Sequence, residues 1–174
     1  FKTIARTFEM INPTDSNPIT IHLAAGTYSP ETGETFPISM ISNVNIEGED
    51  EETTILDAQQ TARVITLESC GNNRISNLTV TGGLAEGSWP NNRGGGMYVR
   101  SSNPTLTHVT ISGNTAGDVG GGMNLLSSNP TLTHVTIAGN TANNGGGGMY
   151  LNGSNPTLTH VTITGNTANS ILGG

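Results

Sequence analysis

Three histidines recur 26 residues apart, at His108, His134 and His160. Neutral imidazole is a common ligand of transition metals, and equal positions of stacked strands lie about 4.8 Å apart. Neighbouring rings of such a column could therefore share a metal ion. The alternative is that an outward polar residue was copied together with its repeat. We favour this alternative, because metal ligation also needs converging rings and supporting hydrogen bonds.

An acidic run covers residues 47–52 and reads Glu-Gly-Glu-Asp-Glu-Glu. Carboxylate oxygens on a turn are the ligands that Ca²⁺ prefers, so Glu47, Glu49 and Asp50 are candidate calcium ligands. The run lacks the ordered Asp, Asn and Gly spacing of a calcium loop, and a run of charge is usually a solvated turn. No other cofactor is predicted.

Three aromatic residues could contact a sugar. Trp89 lies in the segment Leu84–Arg93, while Tyr98 and Tyr150 occupy equal positions two repeats apart, with Asn124 between them. Alternation along these strands predicts that both tyrosines face outward. Amphipathic rings stack on ligands at wet binding sites. Together with the three histidines, these aromatic residues are the candidate ligand-binding residues.

Charged groups that could perform catalysis are scarce in the second half of the chain. From residue 94 onward the only formal charges are Arg100 and Asp118. Cleavage of a saccharide needs carboxylates or an arginine that converge on one face. We therefore predict no catalytic residue.

These residues are carried by a repeat. The decapeptide Ser-Asn-Pro-Thr-Leu-Thr-His-Val-Thr-Ile occurs unchanged at Ser102–Ile111, Ser128–Ile137 and Ser154–Ile163. The flanking motifs Gly-Gly-Gly-Met and Gly-Asn-Thr-Ala keep the same period. A fixed period of this length, rich in β-branched and turn residues, indicates stacked coils.

Alternation within each repeat assigns the inward and outward positions. In the first repeat Met97, Val99, Leu106, Val109 and Ile111 are predicted to point inward, with a bend between Leu106 and Val109. Two inward ladders run through all three repeats: Met97, Met123 and Met149, and the corner residues Asn114, Asn140 and Asn166. The asparagines are expected to bond backbone groups of adjacent coils.

Outward threonines form three predicted columns: Thr105, Thr131 and Thr157; Thr107, Thr133 and Thr159; Thr110, Thr136 and Thr162. A flat Thr-x-Thr array on a β-helix resembles the ice-binding face of hyperactive antifreeze proteins. The alternative is that threonine is simply an ordinary outward residue of a solvated strand.

An earlier coil fits the same pattern with an insertion. Ile75–Gly82 aligns with Leu106–Gly113 at an offset of 31 residues rather than 26. The five extra residues fall in Leu84–Arg93, and insertions into a solenoid leave the stack as loops, often on a functional face.

The remaining sequence predicts one helix and many short strands. Ile4, Phe8 and Ile11 have helical spacing, which predicts a short amphipathic helix over Phe1–Ile11. Strands are predicted at Ile19–Tyr28, Phe36–Ile41, Val44–Ile46, Thr53–Leu56, Arg63–Leu67 and Arg74–Val80. The predicted fold is all-β: a right-handed, single-stranded parallel β-helix, a three-sided solenoid of about five coils with an N-terminal helical cap. It forms one domain over residues 1–174, with the cap at 1–11, irregular coils at 19–93 and three repeats at 94–174.

Composition limits the partners. The net charge is −7, with 12 acids and five bases before residue 94. Such a surface has no electrostatic footprint for nucleic acid. No run approaches the roughly 20 apolar residues of a membrane span, and a single cysteine excludes an internal disulfide.

The first half resembles the N-terminal coils of bacterial pectin-lyase-like right-handed β-helix proteins, through Phe1–Ile4, Ala25–Tyr28, Val44–Gly48 and Thr53–Asp57. In that superfamily a short helix caps the first coil, which agrees with the predicted helix. The motifs of its pectin-degrading members are absent: Gly26–Glu31 is similar to the Gly-x-Tyr-x-Glu stretch of pectin esterases but has one residue too many.

The second half is similar to the short repeats of chlamydial-type polymorphic outer membrane proteins, through Ile111–Asn114 followed by Gly120–Met123. The passenger domains of those proteins are β-helices on the cell surface. This resemblance implies an extracellular or bacterial cell-surface location, with the leader absent from the sequence.

The leading functional hypothesis is a non-catalytic secreted or surface scaffold that binds carbohydrate or a partner protein along its side. The alternative is a carbohydrate-active enzyme whose catalytic residues are missing or unrecognised, and ice binding is third. The repeats stop near Gly174 without a capping helix, which predicts truncation from a longer protein or a homodimer formed end to end through the last coil.

Overall fold

The computed structural model of this chain describes residues Thr3–Ser170. One α-helix, α1 (Ile4–Phe8), precedes the strands, and a single 3₁₀ turn lies at Pro30–Thr32. In chain order the strands are β1 (Ile19–Leu23), β2 (Gly26–Tyr28), β3 (Ile38–Ser39), β4 (Val44–Gly48), β5 (Thr54–Asp57), β6 (Ile65–Glu68), β7 (Arg74–Thr81), β8 (Leu84–Ala85), β9 (Met97–Arg100), β10 (Thr105–Ser112), β11 (Thr115–Ala116), β12 (Met123–Leu126), β13 (Thr131–Ala138), β14 (Thr141–Ala142), β15 (Met149–Asn152), β16 (Thr157–Thr159), β17 (Thr162–Thr164) and β18 (Thr167–Ala168).

The strands form three parallel sheets that wind around a common core. The first sheet stacks β1, β4, β7, β10, β13 and β16, with β2, β5 and β17 alongside; the second stacks β3, β6, β9, β12 and β15; the third stacks β8, β11, β14 and β18. This is the predicted three-sided parallel β-helix. Six strands lie on the path of the first sheet, so the solenoid has about six turns where the sequence predicted about five.

Register between the coils follows the repeat. Leu106 pairs with Leu132 and Leu132 with Leu158, while Met97 pairs with Met123 and Met123 with Met149. Like residues therefore stack on like residues. The five side chains predicted to face inward in the first repeat are all fully buried. In the last described coil Leu151, Leu158 and Ile163 remain 43%, 46% and 50% exposed, because no further described coil covers them.

The predicted bend within the long strands lies at the histidines. His108, His134 and His160 have φ angles of 51°, 53° and 52°, in the left-handed region. Asn77 holds the same position in β7, with φ 55°. Left-handed backbone is uncommon for residues other than Gly, although His, Asn and Asp adopt it more readily than most. One left-handed residue per coil turns the strand, so the inward side changes between Leu106 and Val109.

The corner asparagines form a continuous hydrogen-bonded column. Oδ1 of Asn140 accepts from the backbone N–H of Asn114 at 3.0 Å and from its Nδ2 at 2.9 Å. Nδ2 of Asn140 donates to the carbonyl of Ile111 at 2.9 Å, and Asn166 repeats this pattern one coil later. Each amide thus pairs backbone groups that the tight corner would otherwise bury without partners.

A second column of polar side chains lies at the turns that precede the strands of the first sheet. Oγ of Ser102 accepts from the backbone N–H of Cys70 at 3.1 Å, Oγ of Ser128 from Ser102 at 3.2 Å, and Oγ of Ser154 from Ser128 at 3.0 Å. This column was not predicted from the sequence, although its serines belong to the repeated decapeptide. Cys70 occupies the serine position of an earlier coil, and burial raises the pKa of its thiol.

The helical cap is shorter than predicted. α1 ends at Phe8, so Ile11 lies outside it, and Phe1 lies outside the described residues. The buried carboxylate of Glu34 accepts from the backbone N–H of Ile4 at 2.6 Å and of Ala5 at 3.2 Å. Glu34 therefore satisfies the free amides at the start of α1, and Ile4 packs into the core beneath it. No helix among residues 3–170 has the length and apolar character needed to cross a membrane.

Replacing Asn140 with alanine tests the asparagine column. The substitution removes the acceptor of the buried Asn114 N–H and a donor to the carbonyl of Ile111, so we expect the free energy of unfolding to fall by about 2–4 kcal/mol. Asn144→Ala is the matched control, because the Asn144 side chain is exposed and bonds only Asp118. We expect the control to stay within about 0.5 kcal/mol of the parent chain in urea unfolding. Equal losses in the two variants would contradict a structural role for the column.

Candidate ligand-binding face of the second sheet

The outer face of the second sheet carries a column of polar and aromatic side chains. Register places Thr66 beside Tyr98, Tyr98 beside Asn124, and Asn124 beside Tyr150. The structure thus brings Tyr98 and Tyr150 to one face, two strands apart. This common face follows from the repeat, because equal positions of successive coils share one side of the sheet.

The loop after β8 folds over this face. Leu84 and Ala85 form a strand of the third sheet, so the loop runs over residues 86–93 and is shorter than the predicted Leu84–Arg93. Arg63 holds the loop in this position. Its Nε donates to the carbonyls of Arg93 and Gly94, both at 3.0 Å. Nη2 of Arg63 donates to the carbonyl of Pro90 at 2.9 Å.

Arg63 is largely buried and holds the loop by charge-assisted hydrogen bonds. Burial lowers the pKa of its guanidinium to about 10, so the group is still charged at neutral pH. Hydrogen bonds to a charged group are stronger than neutral ones, which favours one loop conformation. The guanidinium carbon also lies 4.6 Å from the centroid of the Tyr98 ring. Arg63 was not predicted as a functional residue, because it is a single residue outside the repeats.

Tyr98 is not available to a ligand, contrary to the expectation that it faces solvent. Its side chain leaves the outer face of β9, but only 1% of the residue is exposed. The Arg63 guanidinium lies over the ring, and burial raises the pKa of the phenol. The alternation rule gives the direction of a side chain and not what lies over it. Tyr98 therefore lies beneath Arg63, the residue that bonds the loop.

A second contact fixes the end of the loop. Nη2 of Arg93 lies 2.7 Å from Oδ2 of Asp118, and Nδ2 of Asn144 donates to the other carboxylate oxygen at 2.8 Å. The loop is therefore tied to Asp118 in the following coil, and Asp118 is in turn bonded to the coil after it. Asp118 is engaged by a cation and an amide, so it is not a free acid on this face.

Accessible or partly accessible side chains on this face include Trp89, Arg100, Glu68 and Tyr150, which are together called the aromatic strip below. Trp89 is 55% exposed at the tip of the loop, and the guanidinium carbon of Arg100 lies 6.0 Å from its ring centroid. Nη1 of Arg100 lies 4.0 Å from Oε1 of Glu68. Tyr150 is half-buried on the same outer face. An exposed indole beside a hydrogen-bond donor and an acceptor can stack on a sugar ring and bind its hydroxyl groups.

The three histidines lie on another side of the solenoid, on the first sheet. Adjacent rings stack, with centroids 4.9 Å apart for His108 and His134 and 4.6 Å apart for His134 and His160. The planes of the first pair are only 2° from parallel. Ring nitrogens carry their lone pairs in the ring plane, so parallel rings do not point at one common ion. The structure brings the histidines together without forming a converging ligand set.

The candidate calcium ligands point to different partners. Nδ1 of His22 lies 3.5 Å from the carboxylate of Glu47, whereas Glu49 and Asp50 each accept a backbone N–H, at 3.0 and 2.9 Å. Within residues 3–170, no three side chains of His, Cys, Asp or Glu are grouped as a metal site requires. The acidic run therefore behaves as a turn whose carboxylates bind the protein's own groups.

The threonine columns are aligned on the outer face of the first sheet, as the pairing of Thr105 with Thr131 shows. The loop of residues 49–53 crosses part of this face. Oγ1 of Thr110 donates to the Glu51 carboxylate at 2.5 Å, and Oγ1 of Thr79 donates to the Glu51 carbonyl at 2.9 Å. The left-handed bend at the histidines also separates the column of Thr110 from the columns of Thr105 and Thr107. The threonines therefore do not form one flat, continuous surface.

Comparison with known proteins agrees with the architecture. A family model described as "Right handed beta helix region" matches residues 39–173. The chain therefore belongs to the right-handed β-helix family.

Among solved structures, a pectin methylesterase mutant in complex with a hexasaccharide is similar at 16% identity and a TM-score of 0.46. Pectin methylesterase PemA from Erwinia chrysanthemi is similar at 17% identity and a TM-score of 0.44. Each similarity covers 83% of this chain and 50% of the other, so the chain spans about half the length of these structures. No curated protein matches the sequence.

Removing Arg63 tests whether it holds the loop. In Arg63→Ala the carbonyls of the loop lose their donor, and we expect the loop to open at least about tenfold more often, as loss of charged hydrogen bonds implies. The measurement is the rate of limited proteolysis within residues 86–93, followed by mass spectrometry. Arg100→Ala is the matched control, since Arg100 lies near Trp89 and bonds no loop carbonyl. Equal cleavage rates in the parent chain and Arg63→Ala would rule out this anchoring role.

Proposed function

We propose that this chain is a non-catalytic β-helix scaffold that binds carbohydrate through the aromatic strip. The observation that carries the proposal is the position of Trp89: a large apolar ring, 55% exposed, on a loop that Arg63 holds in place. An exposed indole on an ordered loop costs little conformational entropy when it binds, because the loop is already arranged. Arg100 and Glu68 beside it provide donors and acceptors for hydroxyl groups.

The surroundings favour a polar, uncharged or weakly charged ligand. Arg100 and Glu68 lie close enough for their charges to offset each other, and Asp118 is engaged by Arg93. Flat aromatic contact combined with these groups suits the alternating apolar faces and hydroxyl edges of a sugar chain. A partner protein with exposed hydroxyl and amide groups is the second ligand class in this proposal. The proposed location is extracellular or on a bacterial cell surface.

A carbohydrate-active enzyme is the alternative, and Glu68 is the observation in its favour. Its carboxylate is 47% exposed beside an arginine on the same outer face as Trp89. A single carboxylate can donate or accept a proton, whereas glycoside hydrolysis generally uses a pair. Ice binding through the threonine columns ranks third, because the loop of residues 49–53 and the bend at the histidines interrupt the array.

Replacing Trp89 tests the carbohydrate proposal. On a glycan array, run with calcium and with chelator, we expect binding in both conditions. For a bound glycan, Trp89→Ala should weaken the affinity about 30-fold, in line with loss of about 2 kcal/mol for a central aromatic contact. Trp89→Phe keeps a stacking ring and should retain most of the affinity, and thermal unfolding checks that both variants fold.

Two outcomes would contradict the proposal. A blank array, or unchanged affinity in Trp89→Ala, would remove the aromatic strip as a carbohydrate site. Release of shorter saccharides by the parent chain, lost in Glu68→Gln, would replace the scaffold with the enzyme alternative. Glu68→Gln keeps the size of the side chain and removes its capacity for proton transfer.

Pairing of two copies through the last described coil is a further part of the proposal. Leu151, Leu158 and Ile163 are exposed there around a hollow of about 440 Å³. Burial of this surface would favour association by the hydrophobic effect. We expect the mass measured by sedimentation velocity to rise with concentration toward twice the 18.0 kDa of one chain. Leu158→Asp should abolish this increase. A single 18.0 kDa species at every concentration would remove the pairing.

A further inference from the structure

A groove of about 630 Å³ lies on the outer face of the first sheet, on a different side from the aromatic strip. Its floor is a column of outward side chains that crosses four coils, namely Thr20, Asn45, Arg74 and Thr105. Four strands at the usual spacing give the floor a length of about 14 Å. Glu47 and Ser76 line the groove beside this column.

One edge of the floor is bordered by the segments that precede its strands. The segment between α1 and β1 contributes Asp15 and Pro18, and the turns before β7 and β10 contribute Asn72, Asn73 and Asn103. Pro18, Asn72 and Asn103 each lie two residues before a floor residue, so the register places them in one row. The floor comes from the sheet and its border from these flanking segments, so the groove is a product of coil stacking and is not visible in any single repeat.

Hydrogen bonds hold the side chains of the groove in fixed orientations. Asn43 links successive coils along this border: its Nδ2 donates to Asp15 at 2.8 Å, and its Oδ1 accepts from Asn72 at 2.8 Å. On the floor, Nδ2 of Asn45 donates to the Thr20 hydroxyl at 3.3 Å. Oδ1 of Asn45 accepts from the backbone N–H of Arg74 at 2.9 Å. A ligand would therefore meet groups that are already arranged.

Arg74 keeps unused hydrogen-bonding capacity in the groove. None of the ion pairs among residues 3–170 involves Arg74, whose exposed guanidinium has five N–H donors. Asn73 is only 5% exposed and donates to the carbonyls of Ile41 and Val44, so it fixes the border of the groove and offers no accessible group to a ligand.

The lining defines the class of ligand. Seven of the lining residues are neutral Asn, Ser or Thr, two are carboxylates, one is a guanidinium, and none is aromatic. Two carboxylates would repel a phosphate or a uronate, and an apolar ligand would leave the lining unpaired. Neutral vicinal hydroxyl groups can accept from Arg74 and donate to Glu47 or Asp15 at the same time.

We propose that this groove is a second binding site, for a neutral oligosaccharide, with Arg74 and Glu47 contacting its hydroxyl groups. The site is independent of the aromatic strip, because the two share no residue. A chain with both sites would hold two saccharide segments on different sides of one rigid solenoid.

The test measures binding of neutral hexasaccharides of glucose, xylose, mannose and galactose, with hexagalacturonate as the charged comparison, by isothermal titration calorimetry. The full chain with Trp89→Ala serves as the background, so that only the groove is measured. We expect at least one neutral hexasaccharide to bind this background, and Arg74→Ala in it to weaken the affinity at least tenfold, as loss of hydrogen bonds to a charged group implies. Arg6→Ala is the matched control, because Arg6 lies on α1, pairs with Glu9 and lines neither site, and it should change the affinity less than twofold.

Glu47→Gln supplies a second variant that keeps the shape of the groove and should weaken binding severalfold. Binding that Arg74→Ala leaves unchanged, binding of hexagalacturonate in preference to every neutral hexasaccharide, or no binding by any probe would overturn the inference. Because each experiment changes residues of one face only, failure of the groove and failure of the aromatic strip give different results.

Discussion

The structure depends on parallel pairing of successive coils in one register. Every described strand bonds the coil before it, the coil after it, or both, so the inward residues of one coil are covered only by equal positions in its neighbours. This arrangement leaves polar groups at the tight corners with no water to pair them. The asparagine column pairs these groups, because each side chain accepts from a backbone N–H of the preceding coil and donates to one of its carbonyls. Stacked serines accept from backbone N–H groups in the same way at the turn that leads into the first sheet.

A core satisfied in this way leaves the outer faces free to vary. The insertion in residues 86–93 adds a loop without disturbing the register, because β9 still pairs with β6 and β12. Arg63 then converts a surface loop into an ordered one by donating to its carbonyls. Arg63 also lies over the buried Tyr98 ring, whereas the loop presents the exposed Trp89.

Alignment on a face is not sufficient to form a site. The three histidines share a column and stack at contact distance, yet their parallel planes do not converge. The threonines are aligned as well, but a neighbouring loop crosses them. The two places with a built arrangement of groups, the aromatic strip and the groove beside Arg74, both need a segment that leaves the regular coil. In this fold the repeat supplies the platform and the irregular segments supply the shape.

The amino-acid sequence determined the architecture. Repeats of 26 residues, alternating apolar positions and corner asparagines predict a parallel solenoid, because each of these signals is local and recurs in every coil. The bend at His108 and the inward ladder from Met97 to Ile111 follow from the same pattern. The tertiary structure alone decided which outward residues are accessible. Tyr98 is covered by Arg63, 35 residues earlier in the chain, and the groove joins Asp15 to Asn103 across four coils. Such contacts depend on how irregular segments fold over the sheets, and no periodicity in the sequence records that.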